Sequence, residues 1–112
     1  MTYEYKKHQA DVGIIAKAAT LEEAFCDGAK AMFGVMVNLD TIENKREVAV
    51  ESTGTDIPSL FVNFLNELLS LKDIEDMFFC NFKIIKIQEK DGLFLINAIA
   101  YGEEMDLKKH EI

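Results

Sequence analysis

The chain has 112 residues, 49% of them apolar, and its twenty acids against twelve Lys and Arg give a net charge of −8. That is enough chain for one hydrophobic core and too apolar a composition for a disordered segment. The acidic balance works against direct, tight binding of phosphate backbones, which takes basic side chains, and suits a basic protein partner or a cation.

The N-terminal MTYEYKKHQ carries no apolar signal core, and no stretch approaches the ~18 apolar residues of a membrane span. A cytoplasmic protein is expected, with no membrane association. Tyr3 to Lys7 and Val12 to Lys17 read as two short strands on either side of an HQAD turn. Thr20 then offers an N-cap with Glu23 three residues on, the spacing of a capping box. Leu21, Phe25, Ala29, Met32, Phe33 and Met36 follow at helical spacing and predict a helix over roughly 21–37. Gly28 inside it is expected to allow close packing against a sheet. NLDTIENK is a polar connection, and REVAVEST alternates as a strand with one wet face.

Asp56 is a cap, and Pro58 suits the first turn of the next helix. Ile57, Leu60, Phe61, Phe64, Leu65, Leu68 and Leu69 lie at i, i+3, i+4, i+7, i+8, i+11 and i+12, so that helix is buried along one side. In MFFCNFKIIKIQ, Phe78, Cys80, Phe82 and Ile84 are expected to share one face. Ile85 and Ile87 continue one residue out of phase, which a β-bulge near Ile84 and Ile85 would absorb. Asp91-Gly92 signals a hairpin, and the returning LFLINAIAY is apolar on both faces, as in a central strand. The order ββαβαββ predicts an α+β fold: two amphipathic helices packed on a mostly antiparallel sheet. With one Pro and no repeat or low-complexity tract, residues 1–112 form a single domain. Cys26 and Cys80 belong to no CxxC or Cys/His cluster and read as reduced, half-buried core thiols.

Three segments, in order and at matching spacing across the chain, resemble the archease family. HQADVGIIAKAATLEEAFCDGAKAMFGVM is similar to the family's DHTAD(I/V)G turn and the helix after it. LFVNFLNELL resembles its NWLNELL helix, and AYGEEMDLKKHEI its YGE…HE segment. The resemblance implies the archease sandwich and a role that is not enzymatic. Archeases are cofactors of the RtcB-type RNA ligase of tRNA splicing; they promote guanylylation of its active-site histidine, allow multiple turnover and broaden nucleotide use. It also implies a divalent cation, calcium, held by the turn's acid and by an acid at the extreme C-terminus. Asp11 is the counterpart of the first. The chain departs from the pattern at Lys7, Gln9 and Ala19, where the family has an acid, Thr and Gly. Archeases continue past the HE segment with a further hairpin ending in the second acid. The expectation is therefore a chain lacking that hairpin and holding half the cation site.

From the residues themselves, Asp11 is either a ligand for a hard cation or an acid capping its own turn. His8 is a base near a partner's reaction centre or an exposed strand-end residue. Asn63, Asn66 and Glu67, on the polar side of their helix, are partner contacts, hydrogen-bond partners of the neighbouring loop or a solvated stripe. No second His, Ser or Cys is placed to make a triad with His8. The acidic run Glu103, Glu104 and Asp106 is a charged loop, or completes a cation site if the fold brings it near Asp11. Two other readings stay open: a small metal-dependent hydrolase using His8 and Asp11, and a degenerate interaction module. The short C-terminus predicts an exposed sheet edge beside LFLINAIAY, through which copies could pair as a homo-oligomer.

Overall fold

A computed structural model describes residues 20–106 and 109, so the two N-terminal strands and the HQAD turn lie outside the described residues. Helix α1, Leu21–Met36, opens where Thr20 in extended backbone accepts the Glu23 N–H at 3.0 Å, and it closes on Val37. A 3-10 turn at Leu39–Thr41 leads to strand β1, Arg46–Gly54. Helix α2, Ile57–Glu75, is capped by Asp56, whose carboxylate accepts the Ser59 N–H at 2.8 Å, with Pro58 in the first turn where a missing N–H costs nothing. It ends on Asp76 in the left-handed region. Strands β2, Met77–Lys90, and β3, Leu93–Glu104, form a hairpin whose two turn residues, Asp91 and Gly92, both have positive φ, as a type I′ turn requires.

The sheet is antiparallel in the order β1-β3-β2. LFLINAIAY is thus the central strand, as its two apolar faces predict. No gap opens at β3, which is paired on both sides; among the described residues the edges are the two strands that flank it, β1 and β2. Helix α1 lies over β2 and α2 over β1, on the same face. That face supplies Val50, Phe82, Ile96, Ala98 and Ala100 to a core completed by Phe25, Phe33, Leu60, Phe61, Phe64, Leu68, Met77 and Phe79. The α1 stripe and the α2 stripe enter this core as their periodicity predicts.

Two expectations need correcting. The slip at Ile84 and Ile85 is a bulge, as read from the sequence, but β2 carries a second one between Phe79 and Asn81. Phe78 and Cys80 therefore do not share a face with Phe82 and Ile84. Phe79 is the residue turned into the main core, while Phe78 packs with Val37 and Ile42 in a smaller cluster flanked by Leu39, Cys80 and Met105. Gly28, for its part, faces the other helix and not the sheet. A Cβ there would collide with the Phe61 ring, whose Cε1 would stand 2.6 Å away, so the missing side chain sets how closely α1 approaches α2.

Candidate functional site

Of the residues singled out from the sequence, His8 and Asp11 lie outside the described residues. The α2 trio is described. Asn63 Nδ2 donates to the Thr53 carbonyl at 2.8 Å, which ties α2 to the end of β1 and satisfies an edge carbonyl. Asn66 is exposed. Glu67 is half-buried and borders a hollow of about 530 Å³ with Glu51, Ile85 and Asn97. The three share a helix side, and among the described residues Asn63 is the one of them whose side chain makes a hydrogen bond, a contact that also fixes α2 against β1.

Among the described residues a dense polar constellation sits at the far end of β3. Glu103 is buried in spite of its charge, at 6% exposure. One of its oxygens, Oε2, accepts the Glu43 N–H at 2.9 Å. Lys109 Nζ reaches both of its oxygens, at 3.1 Å to Oε1 and 2.9 Å to Oε2, and also Glu43 Oε2 at 2.7 Å. Lys45 Nζ stands 3.6 Å from Oε1. A buried carboxylate is tolerated only when paired and hydrogen-bonded, and this one is both. The loop before β1 is brought in by the Lys45 N–H, which donates to the Gly102 carbonyl at 2.9 Å. Beside the cluster a cleft of about 870 Å³ is lined by Lys45, Arg46, Glu104, Asp106 and Lys109.

Lys109 therefore clamps the C-terminal segment to both Glu43 and Glu103. Its hydrogen bonds to Glu43 and then to Glu103 raise its own pKa above the ordinary lysine value. Its hydrogen bond and charge, with that of Lys45, hold the Glu43 carboxyl below the ordinary carboxylate value. A depressed carboxylate contributes stability that is present above its unfolded pKa and lost as pH falls through the folded one. A raised lysine contributes stability present below its unfolded pKa and lost as pH rises through the folded one. The clamp is thus whole across neutral pH and loosens at both extremes. NMR titration of the side-chain carboxyl should place Glu43 below the usual range in the wild type and return it toward that range in Lys109→Met. An unshifted Glu43 in both proteins would contradict the clamp.

Chemically this constellation is a tether. Its carboxylates are neutralised by ammonium groups, and among the described residues no three His, Cys, Asp or Glu gather as cation ligands. A hard cation such as Ca²⁺ takes about 6–8 oxygens, which Glu43 and Glu103 do not offer while Lys109 occupies them. Neither thiol is activated by a lowered pKa. Burial raises the pKa of Cys26, whose Sγ donates to the Phe82 carbonyl at 3.3 Å, and burial followed by the Glu103 charge raises that of Cys80. Both stay protonated at neutral pH, and the thiol form is the unreactive one. As expected, both are free and half-buried. Lys109 and Glu43 were not legible from sequence: each is one charged residue in a polar stretch. The one available signal was the acidic run, which drew attention to Glu103.

The described architecture defines an α+β protein with two helices on one face of an antiparallel sheet. The chain matches the Archease protein family (MTH1598/TM1083) over residues 3–112. It is 48% identical over 109 residues to the protein archease of Pyrococcus furiosus, covering 97% of this chain and 76% of that one. With the protein archease of Methanosarcina mazei it shares 36% identity over 108 residues, 96% of this chain and 74% of the relative. The solution structure of Methanobacterium thermoautotrophicum protein 1598 superposes with a TM-score of 0.68 at 37% identity, over 80% of this chain and 64% of that one. The chain belongs to the archease family. No described helix is long and apolar enough to cross a membrane.

Proposed function

We propose that this chain is a cytoplasmic protein cofactor of an RtcB-type RNA ligase, promoting guanylylation of the ligase and its multiple turnover in tRNA splicing. The observation that carries the reading is the family match from residue 3 to residue 112, which takes in the HQAD turn and the YGEEMDLKKHE segment together. Net charge gives independent support. A chain at −8 complements the basic surface that an RNA-joining enzyme needs, and opposite potentials speed and orient docking. In this reading the chain works in trans and is not itself the catalyst.

Asp11 is the residue proposed to meet the reaction centre, with His8 beside it and Asn63, Asn66 and Glu67 offered as docking contacts. Its carboxylate would supply one or two of the oxygens around a calcium ion, the rest coming from carbonyls, water or a further acid. Such a cation supplies positive charge near developing negative charge. Asp11→Ala should reduce the ligase to about one round of joining per enzyme molecule, while circular dichroism and thermal melting stay as in the wild type. Full stimulation by Asp11→Ala would remove Asp11 from the mechanism and favour the plain interaction module.

A further inference from the structure

The face of the sheet turned away from the helices has a charge pattern that the activity above does not use. Strand registers place four levels of side chains on it. They read Glu47–Tyr101–Asn81, Ala49–Ile99–Lys83, Glu51–Asn97–Lys86 and Thr53–Leu95–Gln88, from β1 across β3 to β2. The β1 row is exposed and its charges are both acidic. The β2 row is exposed and its charges are both basic. Between them the β3 row is half-buried and mostly apolar, and Ile85, pushed out by the bulge between Ile84 and Lys86, adds an apolar side chain at 51% exposure. Glu47, Glu51, Lys83 and Lys86 make no ion pair among the described residues. Strands about 4.8 Å apart put each acid row roughly 10 Å from its own basic row, beyond a direct contact.

We propose that a second copy of this chain docks on this face, sheet against sheet, about a two-fold axis running parallel to β3 in the plane between the copies. Symmetry makes the argument. Rotation about that axis keeps each level at its height and exchanges left for right, so β1 of one copy lies over β2 of the other. Glu51 then meets Lys86 of the second copy, Glu47 approaches Lys83 one level away, and β3 lies on β3. Because the interface is isologous, every charge pair occurs twice. A two-fold axis at right angles to the strands would instead set acid row on acid row and basic row on basic row. The charge pattern therefore selects one of the two face-to-face arrangements.

Packing agrees. Sheets stack face to face about 10 Å apart with strands within about 30° of parallel. Shallow hollows of about 480 Å³ beside Tyr101 and about 530 Å³ beside Ile99 and Ile85 leave room for side chains of the second copy. Three strands by four levels cover about 14 by 27 Å, so the two copies together bury roughly 800 Å², the size of a weak, transient interface. The dimer is accordingly concentration-dependent and weakened by salt.

Sedimentation velocity on the full chain tests this, at low and at high salt over a range of micromolar concentrations. The wild type should pass from monomer to dimer, with the dimer fraction falling as salt rises. Lys83→Glu/Lys86→Glu makes both rows acidic and Glu47→Lys/Glu51→Lys makes both basic. Each double variant alone should lose at least about tenfold in self-affinity, with circular dichroism unchanged because all four side chains are exposed. Mixed in equal amounts, the two variants should dimerise again, since each acidic row now faces a basic one. A wild type that is monomeric throughout overturns the proposal, as it would if the face were covered by another part of the chain or reserved for another protein. So does a dimer that the charge reversals leave intact, or a mixture that stays monomeric.

Discussion

Gly102→Ala should destabilise the protein by about 3 kcal/mol or more, at the upper end of what overpacking does. Gly102 lies in the central strand, paired with Arg46 on one side and Phe79 on the other. The bulge at Cys80 brings the β2 backbone over it: a Cβ at this position would run into the Phe78 carbonyl and come within 2.9 Å of Phe79 Cα. A clash with a flexible side chain is relieved by a rotamer change, whereas here the obstacle is main chain. Relief requires moving β2 away from β3, which disturbs Phe79 in the main core and Phe78 in the small cluster together. A denaturant series compared with the wild type measures the loss. A midpoint within error of the wild type would mean that the strands are not so closely apposed.

Phe25→Ala should cost about 3–5 kcal/mol, the range for truncating a buried aromatic. Phe25 is fully buried and joins the two helices, with its ring centroid 5.1 Å from that of Phe61 in an edge-on contact and 5.7 Å from that of Phe64. One turn later Gly28 lets the Phe61 ring lie against the α1 backbone, so that ring is already seated and would have to leave this contact to fill the space. Stability of a domain totals about 5–15 kcal/mol, so this substitution removes a large part of it. Thermal and urea unfolding should agree on the size of the loss. A cost near that of Val→Ala on the surface would show that the helices repack.

What the sequence disclosed was what local physics controls. The caps at Thr20 and Asp56 and the Asp91-Gly92 turn depend on a few adjacent residues, and each is found as read. The α2 stripe was plain because it repeats over three turns. The bulge at Ile84 and Ile85 announced itself by a break in alternation, where two apolar residues adjoin. The bulge at Cys80 gave no such sign: Phe78, Phe79, Cys80 and Phe82 are all apolar, so a slip among them leaves hydrophobicity unchanged on both faces. Gly28's partner was hidden for another reason, because which element meets a helix face is a tertiary fact. The Lys109 clamp is longer-ranged still, joining residues 66 positions apart in the chain. Of the candidate site, Asn63 bonds the Thr53 carbonyl at the end of β1, a tertiary contact that its place on the helix does not fix, and His8 and Asp11 lie outside the described residues.

The central functional claim is most directly tested on the ligase itself. Purified RtcB-type ligase is incubated with GTP, with and without an equal amount of this chain, and the covalent guanylate on the ligase is followed by intact mass over time. Faster and repeated regain of that adduct after each joining event is the predicted result. A ligase that acquires and recovers its guanylate at the same rate with or without the folded chain would contradict the account.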